Sequence, residues 1–282
     1  MNILLTGGKG FLGSSLKKWF NDHTQYNIYI PSHSDLNLLQ LEQVKQYIKQ
    51  NHITGIINAA WQQDIDKNRY YPDSEHDLCK NLIMFQNLTL ATPKHCKLFL
   101  FGTGSEYDND ADILSHKESD IYSTIPIQFG GFVKNLIATK VNHISNISCY
   151  YLRIFGAFGA YERNDRFIKG NLLNIIHNKD ILIHQNRWFD FIYVNDIALL
   201  IYSILTDIKA PNDINCVYQQ KYTLLDIANV LLDITKSKVN IKIDKNDMGL
   251  DYISNDSCLS KLKLSLVGIE HGIRQTYTQM LS

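Results

Sequence analysis

The sequence predicts an α/β fold, a doubly wound parallel sheet with a smaller C-terminal substrate lobe. Short apolar runs alternate with helix-length segments, a glycine-rich turn joins the first run to the first helix, and the pattern changes after Gly156. Strands of a parallel sheet are covered on both faces, so they read as continuous apolar runs rather than as alternating ones.

The elements follow in order. Residues 2–6 form a strand, 10–21 a helix, 26–31 a second strand, and 41–51 a helix. Residues 55–60 form the next strand, 78–91 a helix, 97–102 a strand, 131–144 a helix and 148–155 a strand. After Gly156 come glycine-flanked loops, a helix near 167–177, a strand at 181–184 and a helix at 224–235, while 190–205 returns to the main body. The expected division is therefore 1–159 plus about 188–206 for the larger domain, with 160–187 and 207–282 forming the smaller lobe.

Composition excludes several classes. Hydrophobic residues make up 45% of the 282 and charged residues 20%, which is ordinary for a globular chain. Lys plus Arg and Asp plus Glu both number 28 and balance, so there is no basic field for nucleic acid or an acidic membrane surface. The N-terminal Met-Asn-Ile-Leu-Leu-Thr-Gly-Gly lacks a basic segment and reads as a strand rather than a signal peptide. The apolar stretch 191–205 carries Asn195 and Asp196 and is too short to span a bilayer. Five cysteines (Cys79, Cys96, Cys149, Cys216, Cys258) are scattered without metal-ligand spacing. A cytoplasmic protein without a metal centre is the expectation.

Thr6-Gly7-Gly8-Lys9-Gly10-Phe11-Leu12-Gly13 links strand to helix with the spacing GxxGxxG. Gly7 permits the tight turn, Gly10 lets backbone N–H groups approach a pyrophosphate, and Gly13 allows close packing of helix on sheet. Strand, loop, helix and second strand in this order indicate a Rossmann-type dinucleotide site, with Phe11 and Leu12 opening the helix against it. The second strand runs out through Ile30-Pro31-Ser32-His33-Ser34-Asp35-Leu36. A carboxylate directly at its end would select the ribose of NAD, and none stands there. His33, Ser34, Asp35 and Leu36 are candidate cofactor residues at this end, with Lys9 and His33 near a phosphate and Asp35 capping the next segment or facing adenine rather than reading the ribose. NADP(H) is favoured slightly over NAD(H).

Four later segments add to the loop: Asn58-Ala59-Ala60; Phe101-Gly102-Thr103-Gly104-Ser105-Glu106-Tyr107; Arg153-Ile154-Phe155-Gly156-Ala157-Phe158-Gly159; and Phe189-Asp190-Phe191-Ile192-Tyr193-Val194-Asn195-Asp196. Together, and in this order over essentially the whole chain, they resemble the extended short-chain dehydrogenase/reductases, particularly the nucleotide-sugar epimerases and 4-keto reductases. The resemblance implies that Thr103 orients the substrate's C4 oxygen and that Lys134 holds the nicotinamide ribose. It also implies that Asn58, Ala59, Ala60 and Phe155 line the cofactor and that Tyr107 lies at the substrate. Arg166 and Arg187, with Arg163 nearby, stand where basic residues would neutralise the pyrophosphate of a nucleotide-sugar.

The chain departs from the family pattern at two points. A tyrosine should stand four residues before Lys134, so that phenol and ammonium share a helix face. Gly130 stands there instead, and Phe129, one residue back, lies about 100° round the helix and has no hydroxyl. General acid catalysis contributes roughly two to four orders of magnitude, so its loss matters. Either another donor substitutes, with Tyr107, Tyr122 and His116 as candidates, or the chain is an impaired binding relative, or its reaction needs no phenol there. Gly104 and Ser105 also occupy the positions of the dehydratases' Asp-Glu pair, which argues against dehydration.

The expected activity is NAD(P)-dependent reduction of a nucleotide-activated 4-keto (deoxy) sugar in surface-polysaccharide sugar biosynthesis. The alternatives are a nucleotide-sugar C4 epimerase with bound NAD, or a catalytically impaired Rossmann binding protein. The partner expected is the nucleotide-sugar, without nucleic acid or membrane, and a homodimer is left open.

Overall fold

The computed structural model describes residues 1–62, 75–108, 112–255 and 258–281. Six parallel strands build the main sheet. Strand β1 (Asn2–Thr6) is followed by helix α1 (Phe11–His23), β2 (Asn27–Tyr29), α2 (Leu41–Gln50), β3 (Gly55–Asn58), α3 (Glu75–Ala91) and β4 (Lys97–Thr103). Then come β5 (Ile113–His116), α4 (Phe129–Val141), β6 (Ser148–Ile154), β7 (Gly156–Phe158), α5 (Phe167–Ile176), β8 (Ile181–Gln185), β9 (Phe191–Tyr193) and α6 (Val194–Leu205). The chain continues with β10 (Asp213–Cys216), α7 (Leu224–Thr235), β11 (Ile241–Lys245), β12 (Tyr252–Ser254) and α8 (Ile269–Leu281).

The main sheet runs in the order β10-β6-β4-β3-β1-β2. Alternate side chains of each strand enter opposite layers. Leu4, Ile56 and Leu98 pack with Val44 of α2, Leu88 of α3 and Ile137 of α4. Ile3, Leu5, Ile57 and Phe99 pack instead with Leu16 and Phe20 of α1 and Ile197 and Ile201 of α6. Each such side chain removed from water contributes roughly 1.5–3 kcal/mol. Strand β1 lies where the winding reverses, with β2 on one side and β3 on the other, and crevices for ligands open at the carboxyl ends of strands at such points.

The smaller lobe packs α5, α7 and α8 around Ile168, Leu172, Ile183, Ile227 and Leu231. Three two-stranded parallel pairs complete the structure: β8 with β11, β7 with β9, and β5 with β12. The expected domain division needs correction at one strand. β10, assigned from sequence to the smaller lobe, pairs with β6 as the sixth strand of the main sheet, Ile214 opposite Leu152. Its four residues are all buried, but Asp-Ile-Asn-Cys carries no apolar run by which to recognise it. Strands β5, β7, β11 and β12 and helix α8 also lie outside the sequence reading. Among the described residues no helix is long and apolar enough to cross a membrane.

Candidate active site

The glycine loop has no room for a Cβ at three of its positions, Gly7, Gly8 and Gly13. Gly7 has φ +67°, and a Cβ there would lie 2.4 Å from the Ala59 carbonyl. A Cβ on Gly13 would lie 2.3 Å from the Gly7 oxygen, so α1 meets β1 only through a glycine. Gly10 caps α1 with extended backbone and no side-chain hydrogen bond, and the first turn holds no acid. Unpaired N–H groups and the positive end of the helix dipole there suit an anion.

Beside the loop is a cavity of about 370 Å³, lined by Gly7 to Gly10, Ser32, His33 and Leu36. A second, of about 250 Å³, is lined by Leu12, Asn58, Ala59, Thr103, Lys134 and Tyr151. Ala60, Trp61 and Met84 line both, so the two form one trough over the carboxyl ends of the strands. Its shape, bare glycines and uncapped helix fit a dinucleotide. Asp35 takes no part in the lining. Its carboxylate accepts from the Ser32 N–H (3.0 Å) and the Ser32 hydroxyl (2.6 Å), and Ser34 Oγ contacts the same hydroxyl. Phe155 also stands away from the trough, packed on Tyr107 and Tyr252.

Thr103 ends β4 and caps a short 3₁₀ turn over Gly104–Tyr107. Its N–H donates to Glu106 Oε1 at 2.7 Å, and its hydroxyl lies 3.4 Å from the hydroxyls of Ser105 and Tyr252. Lys134 projects from α4, donates to the Phe101 carbonyl at 2.6 Å and sits 4.3 Å above the Trp61 ring. Burial pushes its ammonium down to about 8, against the upward pull of the Glu106 carboxylate. Helix α4 reaches this position because Gly131 lies against the Ser105 backbone, where a Cβ would be 2.3 Å from the carbonyl oxygen. A Cβ on Gly130, by contrast, meets nothing within 4 Å.

Behind Thr103 lies a fully buried ionic cluster. Arg153 Nε donates to Glu106 Oε2 at 2.7 Å, and its other nitrogens reach Asp213 and Asn215. Burial works against the guanidinium charge, and the two carboxylates outweigh it. Glu106 Oε1 also accepts from the Tyr151 hydroxyl at 2.7 Å. Tyr107, expected at the substrate, belongs to this cluster instead. It is buried, stacks on His116, and its hydroxyl lies 3.0 Å from Asn215 Oδ1 and 3.1 Å from the Lys117 carbonyl oxygen, to one of which it donates. Tyr107 therefore faces the core, His116 is half-buried between it and Asp120, and Tyr122 is exposed.

The smaller lobe adds a cavity of about 770 Å³ lined by Glu162, Arg166, Phe167, Asn171, Arg187 and Phe189, among others. Arg166 and Arg187 thus share one cavity, whereas Arg163 is turned to Asp165 at the surface. Arg187 lies 5.1 Å over the Phe189 ring and Arg166 Nε is 3.6 Å from Glu162 Oε1. Glu162 was not legible as a site residue. Its Oε2 is buried without a hydrogen-bond partner, and burial pushes its carboxyl up to about 8 against the pull of Arg166.

The pattern of the NAD dependent epimerase/dehydratase family matches residues 3–216. The chain belongs to that family. Family members are NAD(P)-dependent, which accords with the trough. Among curated relatives, a GDP-L-colitose synthase of Yersinia pseudotuberculosis is 26% identical, over 100% of this chain and 98% of its own length. Solved structures of the family share the fold. A GDP-L-fucose synthetase from Naegleria fowleri bound to NADP superposes with a TM-score of 0.80 at 14% identity, covering 99% of this chain and 92% of that one. A UDP-glucose 4-epimerase from Thermus thermophilus in complex with NAD gives 0.73 at 14% identity, covering 100% and 99%.

Proposed function

We propose that the chain is a reductase of a nucleotide-activated 4-keto (deoxy) sugar, working with NADPH in preference to NADH, in the synthesis of surface-polysaccharide sugars. The observation that carries the reading is the end of the trough, where the Thr103 hydroxyl and the Lys134 ammonium line one small cavity and the nucleotide-sized cavity of Arg166 and Arg187 lies in the smaller lobe. The full-length relative that makes GDP-L-colitose supports the substrate class.

The reduced dinucleotide, when bound, supplies the hydride. Lys134 holds its nicotinamide ribose, and the Thr103 hydroxyl donates to the carbonyl oxygen of the sugar, where negative charge develops. Arg166 and Arg187 bind the substrate diphosphate, a charge-assisted contact that anchors the sugar without touching the reacting carbon. Reduction is favoured over dehydration because, among the described residues, no free carboxylate stands beside Thr103. Ser105 offers a hydroxyl, and both oxygens of Glu106 are engaged by Thr103, Tyr151 and Arg153. NADPH is favoured because Asp35 is tied to Ser32 while His33 and Lys9 line the cavity.

The test is consumption of NADPH and of NADH with GDP-, UDP-, dTDP- and CDP-activated 4-keto-6-deoxy sugars. Turnover faster with NADPH than with NADH is expected. Replacement of both Arg166 and Arg187 by Ala should raise KM for the nucleotide-sugar and leave dinucleotide affinity unchanged. If no such sugar is turned over while calorimetry shows both ligands binding, the reading fails, and Gly130 favours a binding protein.

A further inference from the structure

The family's tyrosine position is occupied by Gly130, and no described residue comes within 4 Å of where its Cβ would stand. A phenol nevertheless stands at the active-site threonine. The Tyr252 hydroxyl lies 3.4 Å from Thr103 Oγ1 and 3.4 Å from Ser105 Oγ. It comes from β12, 149 residues away from Thr103 in the chain.

Its placement is held by the fold. The Tyr252 N–H donates to the Trp188 carbonyl and its own carbonyl accepts from the Asp190 N–H, both at 2.9 Å. The ring packs between Phe155 and Phe189, each with its centroid 5.0 Å away. Phe189 lines the large cavity of the smaller lobe and Thr103 lines the trough, so Tyr252 touches one lining residue of each. Gly104 makes room for it, since a Cβ there would lie 2.7 Å from Tyr252 Cζ. The two glycines are therefore complementary. One leaves the usual phenol position open, and the other admits a phenol from the opposite side.

We propose that Tyr252 is the proton donor of this enzyme, replacing the tyrosine missing at position 130. The proposal rests on the reductase reading above. As the carbonyl carbon accepts the hydride of the reduced dinucleotide, the C=O π bond breaks and a C–H bond forms. The Tyr252 O–H proton passes to the oxygen, giving the alcohol, the oxidised dinucleotide and a phenolate that water reprotonates. Burial keeps Tyr252 protonated, the form a donor requires, and the nearby hydroxyls of Ser105 and Thr103 favour the phenolate once it forms. Glu106, the carboxylate acting on the phenol, is neutralised by Arg153.

Tyr252→Phe keeps both ring contacts and removes only the hydroxyl. With a 4-keto sugar that the wild type reduces, kcat should fall by about 10²–10⁴-fold with KM and dinucleotide binding unchanged. Adding Gly130→Tyr to Tyr252→Phe should restore kcat to within about tenfold of the wild type, because the second phenol would reach the same oxygen from the open side. Incorporating 3-fluorotyrosine at 252, a more acidic phenol, should move the alkaline limb of kcat/KM to lower pH, which a purely structural ring would not do. In the cofactor-free protein, the Cζ resonance of ¹³C-labelled Tyr252 should shift with the 4-keto nucleotide-sugar and not with the nucleoside diphosphate alone. If the wild type turns over and Tyr252→Phe stays within threefold of it, the donor assignment falls and the reductase reading stands. If the wild type reduces no 4-keto sugar, both fall.

Discussion

Glu106→Gln should destabilise the protein far more than a single neutralised carboxylate usually does. Glu106 and Arg153 are both fully buried and 2.7 Å apart. In either orientation the amide would set an N–H against a donor, the Arg153 Nε–H on one side or the Thr103 N–H on the other, while Asp213 alone would balance the guanidinium. Breaking a buried pair from one side costs about 3–5 kcal/mol, since the remaining charge stays desolvated. At about 2–4 °C per kcal/mol for a chain of this class, Tm should drop by roughly 6–20 °C. Arg153→Met should cost more, because it leaves two carboxylates buried together. Urea unfolding at neutral pH, with thermal melts alongside, measures both. A loss below about 1 kcal/mol for Glu106→Gln would refute the reasoning, because it would mean that water or a rearranged partner reaches the cluster.

Gly10→Asp should separate stability from binding. Gly10 has the extended backbone of a helix cap and an open Cβ direction, so the carboxylate would cap α1 and gain a few tenths of a kcal/mol in the apo protein. The same charge would repel the pyrophosphate, and dinucleotide should no longer raise Tm; a retained shift would remove the loop from the cofactor site. The Glu162 carboxyl, raised from an ordinary 4.5 to about 8, contributes stability that is full below pH 4.5 and lost as pH rises through about 8. Glu162→Gln should therefore flatten the stability profile between those limits, measured by urea midpoints across pH, and an unchanged slope would show that the carboxyl is solvated.

The sequence by itself determined the parts encoded in contiguous residues. The glycine loop, the strand–helix alternation and the order of Thr103 and Lys134 are local facts, because turn geometry and helix or strand periodicity need only neighbouring side chains. Helix α7 was legible to its end residues, since the Thr223 cap and its reciprocal bond with Asp226 are written in four adjacent positions. Tertiary structure alone decided the rest. Tyr107 and Tyr252 look alike in the sequence, yet one is sealed into the Arg153 cluster and the other reaches Thr103. What separates them is the pairing of β12 with β5 and its bonds to Trp188 and Asp190. Pairings between segments so distant in the chain leave no periodic trace in either one, because each strand's own residues need only be compatible with the contact. The same holds for Glu106, Arg153 and Asp213. Each is an ordinary charged residue until the turn after β4 and strands β6 and β10 bring the three together in the interior, where only mutual neutralisation makes their burial tolerable.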